Sequence, residues 1–271
     1  MNGQQQHRRV PNIRNSSLWM NREEVDPMGT RFKIDDTDFL DEIPERNTCP
    51  NCHKSRRYYC YTCYVPLDVI KERLPRVKLP VKVDIIKHIQ EVDGKSTCPH
   101  AAIISPEDCR IHTFPDIPHW DYQKTVLLFP GPNAQTLRQL LDNHYNHIND
   151  NRTSISSIGE IPFDTVVFID STWRQTKQVL NDSRVRPLLA NGTVVLSDHE
   201  SLFWRHQRNT PRTYLSTIEA MYYFFVDLHL IVDEHCGRVG PDGRPHYDYR
   251  YDNLLFFFKH TYNKLRQKYN I

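Results

Sequence analysis

From Val65 onward, short runs of β-branched residues alternate with longer amphipathic stretches, the pattern of an α/β domain. Strands are predicted at residues 81–86, 110–114, 126–129, 165–169 and 193–196. Helices are predicted at 134–147 and 172–180, with residues 150–159 forming a polar loop between them. A further helix begins at Ser216, whose hydroxyl can cap the backbone N–H of Glu219 while the Glu219 carboxylate reaches back. Leu215, Ile218, Tyr222, Phe225 and His229 then line one face of it. A last helix spans about 251–269 and carries the apolar run 254–258. Residues 1–45 show no sustained apolar period and hold the acidic patch Asp35, Asp36, Asp38, Asp41 and Glu42, which predicts a disordered polar arm. Residues 46–66 form a small cysteine-bearing module, and 67–271 form the main domain. No internal repeat or low-complexity tract is visible.

Composition narrows the class. A chain of 271 residues with 38% hydrophobic and 11% aromatic content can bury one substantial core with small appendages, enough for an enzyme. The formal charge of +2, from 35 basic and 33 acidic side chains, is too balanced to mark a general nucleic-acid coating protein but permits a local basic groove. No apolar run reaches the roughly 18 residues that cross a bilayer, and the polar start with Arg8 and Arg9 lacks a secretory segment. A soluble intracellular protein is therefore expected, with its seven cysteines reduced.

Four of those cysteines are paired as Cys49-Pro-Asn-Cys52 and Cys60-Tyr-Thr-Cys63. Two C-x-x-C turns supply four thiolates for a tetrahedral ion with no open position, so a structural zinc knuckle is expected; two disulfides or four free thiols are the alternatives. Lys54, Arg56 and Arg57 lie between the pairs, placed either to grip phosphates or simply to be solvated. Cys98, Cys109 and Cys236 are scattered singly and are expected to pack.

The strand at 165–169 runs into Asp170-Ser171-Thr172-Trp173, so a buried strand ends on a carboxylate and turns at once into a helix. That is where open α/β sheets bind ligands. Capping by Asp170 and Ser171, with Trp173 in the core, explains the same residues without a ligand. Trp204-Arg205-His206-Gln207-Arg208 is a dense basic-aromatic cluster suited to phosphates and bases, or to a solvated loop. Gly94-Lys95-Ser96 suggests a phosphate loop, but Ile89 stands where its opening glycine is required, and no G-x-G-x-x-G follows a strand.

Asp170-Ser-Thr-Trp173 resembles the D-x-T-W motif of the DTW-domain tRNA-uridine aminocarboxypropyltransferases. The resemblance covers about residues 46–260 and includes the paired cysteines, Lys95-Ser96-Thr97, Leu128-Phe129-Pro130-Gly131 and Ser216-Thr217-Ile218-Glu219-Ala220. It implies a parallel sheet knotted as in SPOUT-type methyltransferases, S-adenosylmethionine as donor, and tRNA as partner, with neither DNA nor a membrane. It places Thr97, Phe129, Pro130, Gly131, Ser171, Thr172, Trp173 and Thr217 around the donor, and Asp170 beside Trp173 as the catalytic pair, Asp170 either taking the proton of the incoming base or only orienting base or donor. Arg205, His206 and Arg208, with Lys54, Arg56 and Arg57, are the RNA-binding candidates. The tRNA D-loop and a nuclear location, or alternatively the cytoplasm, follow from the same likeness. A SPOUT-type RNA methyltransferase and a zinc-containing RNA-binding module without activity are the rival functions.

Overall fold

The computed structural model describes residue 28 and residues 31–131, 133–150, 161–196, 199–202 and 213–269. Its centre is a six-stranded sheet: β5 (Lys82–His88), β6 (Cys109–Phe114), β7 (Thr125–Leu128), β8 (Gln135–Thr136), β9 (Thr165–Asp170) and β10 (Thr193–Val195). All pairings are parallel, in the order β6-β5-β9-β7-β10-β8. Parallel strands are covered on both faces, which is why β9 reads as a nearly continuous apolar run. Alternate residues then serve different cores: Val83, Ile85, Val166 and Phe168 face one, Ile86, Leu127 and Val167 the other.

The larger core lies under α2 (Cys98–Ile104), α3 (Leu137–Asp150), α6 (Thr217–His235) and α7 (Phe256–Tyr269). The smaller is closed by Val179 of α4 (Trp173–Leu180) and Leu188 of α5 (Arg186–Ala190). A short α1 (Asp68–Lys71) precedes β5. Of the last predicted helix, Asp252–Leu255 is a 3-10 turn, and the α-helix starts at Phe256. The predicted polar loop at 150–159 lies outside the described residues, save Asp150, which ends α3. Among the described residues no helix is long and apolar enough to cross a membrane.

The stretch expected to be a mobile arm requires correction over its second half. Met28, Ile34, Phe39, Leu40 and Ile43 are buried in the larger core. Phe39 packs on Phe256 and Phe32 on Tyr222, and the Lys33 N–H donates to Asp252 at 2.6 Å. The apolar residues are spaced irregularly because residues 32–37 are neither helix nor strand and Asp38–Leu40 is a single 3-10 turn, so no period announces the burial.

The cysteine module is two antiparallel hairpins, β1 (Asn47–Thr48) with β2 (Ser55–Arg56) and β3 (Tyr59–Cys60) with β4 (Val65–Pro66). Each C-x-x-C is followed by a residue in the left-handed region, His53 and Tyr64, both at φ 56°. Their N–H groups donate to the carbonyls of Cys49 and Cys60, so the two turns are copies of one another. Tyr59 anchors the module, meeting His100 at 2.9 Å and the ring of Phe257.

Candidate functional site

Three adjacent strands, β5, β9 and β7, end side by side, and in the β5–β9 ladder Lys87 pairs with Asp170. Their carboxyl ends release the loops that carry the motifs: 89–97, 129–134 and 171–172. Asp170 is buried at the junction. Ser96 Oγ donates to its Oδ2 at 2.7 Å, and Thr217 Oγ1 donates to its Oδ1 at 2.6 Å. A single carboxylate thus joins the loop after β5, the end of β9 and the start of α6. Thr97 strengthens the junction, its Oγ1 accepting the Ile218 N–H at 3.2 Å.

Charge around Asp170 is unevenly neutralised. Burial works against the charge of Lys87, but its ion pair with Asp93, together with the neighbouring Tyr64 and Cys98, raises its pKa overall. Burial, and then the nearby Asp170 carboxylate, push the Glu91 carboxyl up. Burial also drives the Cys98 thiol well up, so this cysteine stays protonated and packs, as expected.

Ser216 and Glu219 form the predicted capping box. The Glu219 carboxylate accepts the Ser216 N–H and hydroxyl, and also the Leu202 N–H at 2.7 Å and the Ser201 hydroxyl. Burial raises its pKa while these donors oppose the rise. Glu219 is therefore fully committed to fixing residues 201–202 and α6.

The residues expected to line a ligand pocket divide into two groups. Thr97, Thr217 and Asp170 converge as described, and Phe129 and Trp173 adjoin at a ring distance of 6.3 Å. Gly131 brings its loop hard against β10, where a Cβ would stand 2.9 Å from Thr193 Oγ1; neighbouring Pro130 is exposed. Ser171 and Thr172 build the helix start instead. The Thr172 N–H donates to Gln175 Oε1 in a second capping box, and Ser171 Oγ meets Thr176 Oγ1 at 2.8 Å. Trp173 is not core: its side chain is 56% exposed and packs beside Tyr214 at 5.6 Å. Ser96 lay within a recognised motif without a role, and Tyr214 had no sequence signal.

In the cysteine module the Sγ atoms of Cys49, Cys52, Cys60 and Cys63 all lie within 4.8 Å of one another, a set that could hold a metal ion. Cys49 and Cys60 are buried, and backbone N–H groups of Asn51 and Cys63 point at their sulfurs. Burial opposes ionisation of Cys60, yet the N–H groups of Cys63 and Thr62 and the adjacent thiols bring it down to about 6.

The basic residues between the pairs are less available than their sequence suggests. Arg56 is buried, lies over the Tyr61 ring at 3.9 Å and donates to Thr62 Oγ1, so it braces the module instead of gripping phosphates. Arg57 donates to the Ile43 carbonyl, while Lys54 is exposed. Arg205, His206 and Arg208 lie outside the described residues.

The sequence profile of the DTW domain matches residues 57–266. The chain belongs to the DTW-domain family. The D-x-T-W turn of this DTW-domain chain is thus the Asp170-to-Trp173 junction at the carboxyl edge of the sheet. Curated relatives share most of its length. The chain is 40% identical over 245 residues to tRNA-uridine aminocarboxypropyltransferase 1 of Xenopus laevis, covering 80% of this chain and 79% of the relative. It is 40% identical over 249 residues to the protein of that name from Rattus norvegicus, covering 82% and 78%. With that of Homo sapiens identity is 37% over 250 residues, covering 82% and 77%. No solved structure matches the chain.

Proposed function

We propose that this protein is a tRNA-uridine aminocarboxypropyltransferase that uses S-adenosylmethionine to place a 3-amino-3-carboxypropyl group on N3 of a uridine in tRNA. The observation that carries the proposal is the convergence of the Ser96 and Thr217 hydroxyls on buried Asp170, next to exposed Trp173, in a chain 40% identical to proteins of that name.

The residues present suit such a donor. When bound, S-adenosylmethionine supplies a sulfonium-activated carbon, and its departing part is methylthioadenosine. The backbone of Phe129–Gly131, Trp173 and Thr217 would hold it, the glycine letting the loop lie flat and the indole excluding water. Both Asp170 oxygens accept hydroxyl protons; Ser96 Oγ already accepts the Cys98 N–H at 3.1 Å, so Thr217 Oγ1 is the better placed of the two to accept a further N–H. The N3–H of uracil is acidic enough to be drawn to such an acceptor, and a hydroxyl relays its proton to Asp170. The nitrogen lone pair then attacks, the carbon–sulfur electrons leaving with the thioether. Orientation accounts for most of the catalysis, because the electrophile is already activated.

Zinc in the four-cysteine set is a further part of the proposal, supported by the clustering of the sulfurs and by their N–H donors. Its role is structural. A knot of the SPOUT type is supported by β9, late in the chain, lying between the earlier β5 and β7. Action on the D-loop and a nuclear location complete the proposal.

Purified protein incubated with unmodified tRNA and S-adenosylmethionine is expected to yield aminocarboxypropyluridine and methylthioadenosine, both identified by mass spectrometry. S-adenosylhomocysteine together with a methylated nucleoside would overturn the reaction in favour of methyl transfer. tRNA binding without any modified nucleoside would instead identify a non-catalytic module.

A further inference from the structure

Of the seven large apolar side chains left open to solvent among the described residues, Val69, Val239 and Tyr249 lie apart, and the other four gather at one place. Among the described residues Ile89, Val92, Trp173 and Tyr214 are exposed at the carboxyl edge of the sheet, on the loops and helix starts around Asp170. Trp173 is 56% and Tyr214 39% exposed, with ring centroids 5.6 Å apart and planes tilted by 48°. Tyr214 stands two residues before the N-cap of α6, whose next residue holds Asp170, so the tyrosine is fixed to the catalytic carboxylate by a short stretch of chain. An exposed apolar patch of this kind marks an interaction site.

The charges beside it indicate the partner. Trp173 and Lys177 are four residues apart and share a face of α4, with Arg174 next to them. Both cations are exposed and have no hydrogen-bond or ion-pair partner among the described residues. Three arginines elsewhere are each held by a carboxylate, Arg184 by Asp182, Arg238 by Asp233 and Arg250 by Asp248, whereas Arg110 and Arg186 are also exposed without such a partner. Aromatic faces flanked by free cations match an unpaired RNA segment, whose bases stack and whose phosphates need counter-charge.

We propose that Tyr214 and the open surface of Trp173 form the platform on which an unstacked base of the substrate tRNA rests, with Arg174 and Lys177 contacting the adjoining phosphates. This rests on the function proposed above and adds to it the residues that receive the RNA. Tyr214 is a binding residue for the nucleic acid and takes no part in holding the sulfonium donor.

The test uses the full chain with Tyr214→Ala, Tyr214→Phe and the double variant Arg174→Gln/Lys177→Gln. Affinity for an unmodified tRNA transcript and for oligouridylate is read by fluorescence anisotropy, and that for S-adenosylmethionine by calorimetry. Stacking on one aromatic ring predicts that Tyr214→Ala weakens both RNAs about ten-fold or more, while Tyr214→Phe stays within about two-fold. Donor affinity is expected to be unchanged in both. Loss of two single-strand phosphate contacts predicts a salt dependence shallower by roughly 1.4 in log–log slope for the double variant. Unchanged RNA affinity in a folded Tyr214→Ala protein overturns the proposal, and so does a loss confined to S-adenosylmethionine, which would assign the ring to the donor. If RNA affinity falls as expected but no wild-type preparation ever forms aminocarboxypropyluridine, the reaction fails and the platform stands.

Discussion

Asp170 draws its two hydroxyl donors from positions 74 and 47 residues away in sequence, so it is a tertiary fastener in addition to the proton acceptor proposed above. The two roles separate by substitution. Asp170→Asn keeps one carbonyl oxygen for a hydroxyl but removes the charge that receives a proton; turnover is expected to fall by about 10²–10³ in a nucleoside assay. Asp170→Ala leaves both hydroxyls without their acceptor, and denaturant titration is expected to show a further loss of about 1–3 kcal/mol. Gly131→Ala tests the close approach to β10: its Cβ meets Thr193 Oγ1 at 2.9 Å, and the overpacking is expected to cost about 1–3 kcal/mol. Adding Thr193→Ala, which removes that hydroxyl, is expected to restore most of the lost melting temperature. Asp170, Trp173 and Thr217 were legible because each falls in a motif at the end of a strand or the start of a helix. Ser96 was hidden because its function is a long-range hydrogen bond, and Tyr214 because an exposed ring next to a helix cap leaves no periodic trace.

At the level of elements, the repeated turn of the cysteine module makes a separate demand on the backbone. His53 is exposed and left-handed, a conformation that costs a β-branched residue most. His53→Val is expected to destabilise the module by about 1–2 kcal/mol and to weaken its hold on the zinc proposed above when challenged with a chelator, whereas His53→Gly retains both. Melting curves with and without chelator separate the two. The long strands of the sheet were predicted to within two residues of their observed ends, since buried β-branched runs such as residues 166–169 declare themselves. Helix α2 escaped notice for the opposite reason: all of Cys98–Ile104 is buried, so it has no polar face and no amphipathic period. β8, with two residues, is too short to carry any alternation.

Over the whole molecule, two histidines set the acid limit of stability. Burial holds His100 down to about 3, and burial followed by the Lys264 charge holds His260 down to about 4. Both are neutral when folded, whereas in the unfolded chain they take up protons near pH 6.5. Stability is therefore full above that pH and falls as pH drops towards 4, with a slope of up to about 1.4 kcal/mol per pH unit for each proton refused. Melting temperatures between pH 7 and 4.5 are expected to show this decline, and His100→Gln, which cannot titrate, is expected to flatten it.

The strap formed by residues 32–39 lies against partners near the other end of the polypeptide: Lys33 and Asp252 are 219 positions apart, and Phe39 rests on Phe256. During synthesis on the ribosome, the first of these emerges long before its receiving surface exists. Final closure of the larger core therefore waits until residues 252–256 have been made, and it carries a high loop-closure cost.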